Sequence, residues 1–388
     1  MPAGSRDVFR LAITGGGTGG HVFPGIAVAE ALAARRPMEV LWIGTGRPVE
    51  RDAFRDRPWD YRVLDVRPLQ GVGPVEQVRA VAGLPAAVLR AWRWLREFRP
   101  HVVFGVGGYV SGPVLLAARL CGLPAAIHEQ NVVPGLANRL AARFANRVFI
   151  SFAGSADRFP AGKTVLTGNP VRRAILEARR RAPRPRRGVM RLLVLGGSQG
   201  ARRLNRLASN AVISLWNSGV DLRVTHQTGA DDREEIARRY REAGGSHRVE
   251  AFITDIHRAY AEADLVLCRA GATTLAELAA VGRPAILVPY PFAAGRHQEA
   301  NAREMAAAGA ARVILEEDTG AVTLAEELRF LLENPEHLDR MCENAARLGR
   351  PNAAEEIAGA LVELAEGAPT TRPEAEHRPE DGEGDDHV

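Results

Sequence analysis

Residues 265–302 read LVLCRAGATTLAELAAVGRPAILVPYPFAAGRHQEANA. Leu265 to Cys268 is a short apolar run bounded by polar residues, the pattern of a buried parallel strand. The chain then turns through Arg269, Ala270, Gly271 and Ala272 into a helix opening at Thr273 or Thr274. A glycine turn at a helix N-terminus presents unpaired amides and the positive end of the helix dipole, which suits a phosphate. Glu277 follows early in the helix. Its carboxylate does not help hold a phosphate, but it can accept two hydrogen bonds from a vicinal diol such as a ribose. A second apolar run, Ala285 to Val288, leads into Pro289-Tyr290-Pro291-Phe292, and Gly295-Arg296-His297-Gln298 precedes another helix. Strand, glycine loop, helix with an acid, strand, polar loop: this order describes a sugar-nucleotide pocket. Two plain βα units with a charged helix face satisfy the same pattern.

The length of 388 residues suggests two or three domains. Gly, Ala, Val and Leu are plentiful and aromatics few, as expected of an α/β fold with parallel strands. No stretch of about 18 uninterrupted apolar residues exists to span a bilayer. Val8 to Ile13 is too short for a signal peptide and runs straight into glycines. Cys121, Cys268 and Cys342 are far apart, which suggests neither a zinc site nor a disulfide framework and fits a reducing cytoplasm. No Asp-x-Asp stands at a strand end, and Asp231-Asp232 reads as a helix start, so no metal and no cofactor are expected. The net charge of +5 is uneven: the last twenty residues hold seven carboxylates against two arginines, so the body is strongly basic. A basic body suits nucleic acid, anionic lipid or a phosphorylated substrate. With no nucleic-acid motif and no basic helix interleaved with stacking aromatics, nucleic acid is set aside.

The N-terminal half opens with a strand, Val8 to Ile13, then Thr14-Gly15-Gly16-Gly17-Thr18-Gly19-Gly20-His21 and a helix from about Pro24 to Ala34. Gly15, Gly17 and Gly20 satisfy the dinucleotide pattern G-x-G-x-x-G. NAD then requires an acid at the end of the second strand, and Val40 to Ile43 ends in Gly44-Thr45-Gly46-Arg47 without one. The loop still allows a backbone or a diphosphate to approach closely. His21 is either a helix-entry residue satisfied by backbone or a general base, since imidazole takes a proton near neutral pH. Val75 to Phe98 reads as helical with an interruption near Pro85. Val88, Trp92 and Leu95 share one face, Arg90, Arg93 and Arg96 another, and Trp94 lies at the border. This is either a core stripe with a solvated basic face or a surface that dips apolar groups into a bilayer while arginines meet anionic headgroups. A strand from His101 to Gly105 ends in Gly107-Gly108-Tyr109-Val110-Ser111-Gly112, and one from Ala125 to Ile127 ends in His128-Glu129-Gln130-Asn131, where open α/β sheets place ligands.

Gly168-Asn169-Pro170-Val171-Arg172 introduces an arginine- and proline-rich stretch without apolar period, read as a linker over 169–190. The first domain thus covers 1–168 and the second 191–350. The second restarts with a strand, Arg191 to Leu195, then Gly196-Gly197-Ser198-Gln199-Gly200-Ala201 and a helix. This is not a P-loop, lacking its lysine, but it is a diphosphate cradle. Leu222 to His226 and Val249 to Phe252 are further strands. A last helix spans 351–366, expected to pack back on the first domain, before an acidic tail over 367–388 whose composition suits disorder.

Both glycine loops, the His128 to Asn131 tetrad, the Gly168 to Arg172 run and the 265–302 stretch together resemble the MurG family, over roughly residues 8 to 365. The resemblance implies two facing Rossmann-like domains with parallel sheets, the GT-B fold. It implies inverting transfer of GlcNAc from UDP-GlcNAc to the C4 hydroxyl of MurNAc in lipid I, giving lipid II on the cytoplasmic membrane face. Ser198, Gln199 and Gly200 match the loop holding the donor diphosphate, Arg172 an arginine near the nucleotide, Glu277 the ribose-binding acid and Gln298 a donor-sugar contact. Thr18, Gly19, Gly20, Asn131, Ile253, Ala272 and Thr273 join the donor side; Gly17, His21, Gly108 and Tyr109 the acceptor side. The resemblance also favours the membrane reading of Trp92, Arg93, Trp94, Leu95 and Arg96, and implies anionic lipid and cell-wall or division proteins as further partners. His297 stands where many members have glutamine, and the preceding loop is a residue longer than in some.

An inverting transfer needs a base for the acceptor hydroxyl and neutralisation of the leaving diphosphate. His21 is the first choice as base and Glu129 the second. Backbone amides around Ser198 to Ala201, the helix dipole and Arg172 are assigned to the leaving group. The rivals are another GT-B glycolipid glycosyltransferase using a UDP-sugar, an NAD oxidoreductase and a non-catalytic sugar-nucleotide sensor.

Overall fold

The computed structural model describes residues 8–67, 73–181, 189–196, 201–317 and 320–367. Its first half runs β1 (Phe9–Gly15), α1 (Gly19–Ala33), β2 (Met38–Gly44), α2 (Pro48–Phe54), β3 (Asp60–Val63), α3 (Pro74–Phe98), β4 (Val102–Gly107), α4 (Ser111–Leu120), β5 (Ala125–Glu129), α5 (Leu136–Ala141), β6 (Arg147–Ile150), β7 (Thr164–Leu166) and α6 (Arg173–Arg181). The second half runs β8 (Met190–Leu195), α7 (Arg202–Asn217), β9 (Leu222–Gln227), α8 (Arg233–Glu242), β10 (His247–Glu250), α9 (Ile256–Glu262), β11 (Leu265–Cys268), α10 (Ala272–Val281), β12 (Ala285–Leu287), α11 (His297–Ala307), β13 (Ala311–Val313), α12 (Ala321–Glu333), α13 (Pro335–Leu348) and α14 (Ala353–Glu366).

The strands form two parallel sheets, β3-β2-β1-β4-β5-β6-β7 and β10-β9-β8-β11-β12-β13. Helices cover both faces, so the central strands are apolar throughout: every residue of β4 and β11 is buried. Strand order reverses between β1 and β4 and again between β8 and β11. In open α/β sheets the crevice beyond the strand C-termini at such a reversal is where ligands bind. Both reversals fall at glycine loops, and the two halves touch there, as the α/β GT-B reading requires. The edge strands β3, β7 and β13 were not anticipated from sequence; they are three or four residues long and lack an unbroken apolar run.

Other expectations are corrected. Helix α1 starts at Gly19, five residues before Pro24, and the proline sits inside it. Helix α3 runs unbroken through Pro85. The stretch read as a linker without apolar period holds α6, and Val171 and Ile175 join the core around β11 and α10. Residues 182–188 of that stretch lie outside the described residues.

The last helix, α14, crosses back to the first sheet. Its Ala354, Ile357, Ala358 and Leu361 pack in one core with Leu11, Ile13 and Trp42. The chain therefore passes between the halves twice, and the two passages meet at Gly168. That residue has φ +85, and a Cβ there would lie 2.5 Å from the Cβ of Arg350, so the crossing tolerates only glycine. Among the described residues no helix is long and apolar enough to cross a membrane. The acidic tail beyond Gly367 lies outside them.

Candidate functional site

On the first half, the loops after β1 and β4 lie backbone against backbone. A Cβ on Gly15 would stand 2.7 Å from the Gly107 carbonyl oxygen, and one on Gly108 2.9 Å from that of Gly16. Part of the G-x-G-x-x-G pattern thus serves this packing. A Cβ on Gly107 (φ +101) would stand 2.7 Å from Nδ1 of His21, so the imidazole rests on the second loop. His21 Nδ1 lies 3.0 Å from the Val106 carbonyl oxygen. A carbonyl only accepts, so Nδ1 carries the proton and Nε2 keeps its lone pair. Burial lowers the His21 pKa below its ordinary value, against the opposing pull of the Val106 and Gln130 contacts. The ring is neutral near pH 7 in the tautomer a base needs.

Of the polar tetrad, His128, Glu129 and Gln130 are buried. Gln130 donates to the Val106 carbonyl at 2.8 Å and to His128 Nδ1 at 3.1 Å; His128 Nε2 then donates to the Gly168 carbonyl at 3.1 Å. Burial pushes His128 down to about 4. Glu129 accepts from the Asn131 amide and side chain, the Gly135 amide and Asn138, at 2.8 to 3.3 Å. Burial raises its pKa while those bonds pull it down. Both its oxygens are occupied within the fold, so the geometry favours a loop-organising carboxylate over the second-choice base. Asn131 bridges the halves, its Oδ1 accepting from Asn301 at 3.1 Å. Tyr109 is 46% exposed beside Gly108.

The reading that no acid stands at the end of the second strand is corrected. Glu50 of α2 returns to that point and is 0% exposed. It accepts from the amides of Gly17 and Thr45 at 2.7 Å each, the Gly46 amide at 3.2 Å, the Tyr61 hydroxyl at 2.8 Å and the Thr45 hydroxyl. No lone pair faces a ribose, so the dinucleotide objection survives for a different reason. The signal was legible: Pro48 and Glu50 are the first and third residues of α2, where an acid reaches back to loop amides.

On the second half, Gly271 caps α10 and Ala272 and Thr273 form its first turn. Thr273 Oγ1 donates to the Gly20 carbonyl at 3.3 Å. That carbonyl is free because Pro24, four residues on, has no amide hydrogen to offer it. Glu277 is nearly buried, accepting from Arg172 Nη2 at 2.9 Å and from the Tyr260 hydroxyl at 3.0 Å. Arg172 stacks on Phe23 at 4.5 Å, and its Nε is buried without a partner among the described residues. Arg172 and Glu277, expected to perform separate tasks, are joined as an ion pair in this structure. Tyr260, invisible as a site residue in sequence, reads there as core. Gln298 accepts from the Tyr290 amide at 3.0 Å, and the buried Ile253 donates its amide to Gln227 at 3.0 Å. Ser198, Gln199 and Gly200 lie outside the described residues, bracketed by Gly196 and Ala201. Among the described residues no group of three or more His, Cys, Asp or Glu could hold a metal.

The surface expected of α3 is partly corrected. Leu95 is 1% exposed and belongs to the core. Trp94 is half-buried near Arg62, and Trp92 half-buried under Arg96. The exposed apolar side chains lie one to five turns earlier, at Val75, Val78, Val81 and Leu89, with Leu120 of α4. Arg90, Arg93 and Arg119 are exposed beside them.

The glycosyltransferase family 28 N-terminal domain matches residues 11–150, and the family 28 C-terminal domain residues 191–357. A UDP-N-acetylglucosamine–N-acetylmuramyl-(pentapeptide) pyrophosphoryl-undecaprenol N-acetylglucosamine transferase of Nitratidesulfovibrio vulgaris is 47% identical, over 94% of this chain and 100% of its own. The enzyme of the same name from Anaeromyxobacter dehalogenans is 46% identical, over 92% and 93%. The crystal structure of Acinetobacter baumannii MurG superposes with a TM-score of 0.76 at 33% identity, covering 92% of this chain and 99% of that one. A UDP-GlcNAc 2-epimerase from Neisseria meningitidis is alike in fold alone, with a TM-score of 0.65 at 14% identity over 92% of this chain and all of its own.

Proposed function

The chain belongs to the MurG family of glycosyltransferases, and from that membership we infer that it moves GlcNAc from UDP-GlcNAc to the C4 hydroxyl of MurNAc in lipid I, giving lipid II. One contact carries our reading of the site. The 3.3 Å bond from Thr273 to the Gly20 carbonyl sets the N-terminus of α10 against the first turn of α1, one residue from His21. A phosphate seat and a neutral imidazole thereby share one cleft.

His21 Nε2 takes the proton of the acceptor hydroxyl as its oxygen bonds to the anomeric carbon. The bond from that carbon to the diphosphate breaks, and UDP leaves with the electron pair. Ribose hydroxyls donate to Glu277 and displace Arg172, whose freed guanidinium meets the diphosphate. The unpaired amides of the first turn of α10 hold the same charge, with Ser198, Gln199 and Gly200 assigned to the same task. Thr18, Gly19, Gly20, Asn131, Ile253, Ala272 and Gln298 surround the donor; Gly17, Gly108 and Tyr109 face the acceptor. The apolar groove of α3 and α4, lined by Val81, Leu84, Val88, Leu89, Trp92 and Leu120, rests on an anionic membrane at its cytoplasmic face, its arginines among the headgroups. Cell-wall or division proteins are further partners in this reading.

The deciding experiment follows labelled GlcNAc from UDP-GlcNAc to a short-chain lipid I analogue with EDTA present. Product establishes donor, acceptor and a leaving group stabilised without metal. Product only after magnesium is restored overturns the leaving-group assignment. No product in either condition, despite UDP-GlcNAc binding, overturns the acceptor.

A further inference from the structure

The loop over residues 15–21 is held from behind. Gly15 accepts at its carbonyl from Trp42 Nε1 at 3.0 Å, and Gly17 donates its amide to Glu50 Oε1 at 2.7 Å. The carboxylate fills the space that side chains at positions 16 and 44 would need: a Cβ on Gly16 would lie 2.3 Å from Glu50 Oε1, and one on Gly44 2.3 Å from Glu50 Oε2. On its far side Glu50 gathers Thr45, Gly46 and Tyr61, and Tyr61 itself accepts from the Gly46 amide at 2.9 Å. All the partners of Glu50 are donors, so the position demands a group with acceptors only. Fully buried, Glu50 cannot touch either substrate.

We propose that Glu50 is a positioning residue for the transfer, a buried carboxylate clamp that sets the first glycine loop and thereby the distance between His21 and the acceptor hydroxyl. The proposal rests on the reading of Gly17 and His21 in that loop as acceptor-side residues. Two consequences follow from the chemistry. Glutamine at position 50 would turn its NH2 against amide donors, so it replaces the carboxylate no better than alanine does. The carboxylate also places negative charge directly beneath Gly17, so this part of the loop suits sugar hydroxyls, and phosphate is left to the helix termini.

The test is a split between acceptor and donor. E50Q and E50A are purified, checked for fold by circular dichroism, and measured for UDP binding and for kinetics with the lipid I analogue. UDP answers to Glu277 and α10 on the other half, so its Kd is expected to stay within about twofold. The acceptor kcat/KM is expected to fall by about tenfold or more in both variants, the size of losing charge-assisted hydrogen bonds. Y61F, which removes one of the five bonds and leaves the carboxylate in place, is expected to fall by about two- to threefold and covers the case in which the Glu50 variants do not fold. Wild-type acceptor kinetics in Y61F and in a folded E50Q would overturn the clamp. Loss of UDP binding in parallel with the acceptor would also overturn it, as the mark of a merely structural residue. H21A separates the two ideas: if it is impaired while E50Q is normal, the clamp fails and the acceptor-side reading stands. If both are normal, the reading of the loop has failed.

Discussion

The two walls of the cleft hold their polar groups in opposite ways. On the wall built by β1, β4 and β5, polar side chains are tied to one another and to backbone. Glu50 and Glu129 accept five and four bonds, and Gln130 and His128 lock each other. Thr14 Oγ1, Gln130 Oε1 and Asn138 Oδ1 stay buried without a partner among the described residues, and His21 keeps its Nε2 lone pair. On the wall built by β11 and α10, Glu277 has only Arg172 and Tyr260, and Arg172, stacked on Phe23, keeps a buried Nε without a partner among the described residues. A wall so densely hydrogen-bonded is preorganised and changes little on binding. One whose ligand-facing acid is held by an exchangeable ion pair reorganises when a ligand offers better partners.

That contrast is broken most directly at His21. H21A should lower kcat by about ten- to a hundredfold or more, the range of general-base loss, with KM for UDP-GlcNAc little changed. Because burial lowers the His21 pKa below 6.5, the base is already neutral at pH 7, and activity should decline only as pH falls below that value. The acid limb should be absent from the residual activity of H21A. Near-wild-type kcat in the variant would place the base elsewhere on this wall.

The opposite wall is tested at Glu277. E277A should raise the donor KM by about tenfold while kcat moves less, because the lost bonds hold the ribose in ground and transition state alike. R172A sharpens the exchange: freeing Glu277 removes competition for the diol but also removes the cation from the diphosphate, so uridine should bind at least as tightly and UDP more weakly. Calorimetry with both ligands reads the difference. Equal weakening of uridine and UDP would mean that Arg172 supports Glu277 rather than yielding to a ribose.

The sequence made the two walls unequally legible. Parallel strands announce themselves as apolar runs, and Leu265 to Cys268 falls where it was read. The α/β class and its facing halves followed from two repeats of strand, glycine loop and helix. Short polar edge strands such as β3 carry no such signal, and a proline proved no barrier to α1 or α3, because a helix flanked by packing partners tolerates one missing bond. In the site, residue type identified Glu277, His21 and Glu129 as chemically able. It did not tell which oxygens were already occupied, since the donors to Glu50 come from positions 17, 45, 46 and 61 and meet only in the fold. Glu129 and Glu277 look alike in sequence, and the structure gives one four donors and the other two. The exposed apolar surface of α3 was displaced for a related reason: a wheel places Leu95 on an apolar face but does not say which apolar face the core takes.

The smallest expected effect lies where the walls touch. Pro24 leaves the Gly20 carbonyl without its helical donor, and Thr273 supplies one from the other half at 3.3 Å. T273V keeps the shape and removes the hydroxyl, so the loss is one neutral hydrogen bond of about 0.5–1.5 kcal/mol, or about two- to tenfold in kcat/KM. P24A gives the carbonyl an amide within its own helix and makes the threonine redundant. The double variant should therefore lose less than the product of the two single losses, and the coupling energy is the strength of the contact. Strict additivity would show that the hydroxyl and the carbonyl part company before transfer, leaving the cleft to be closed by the substrates themselves.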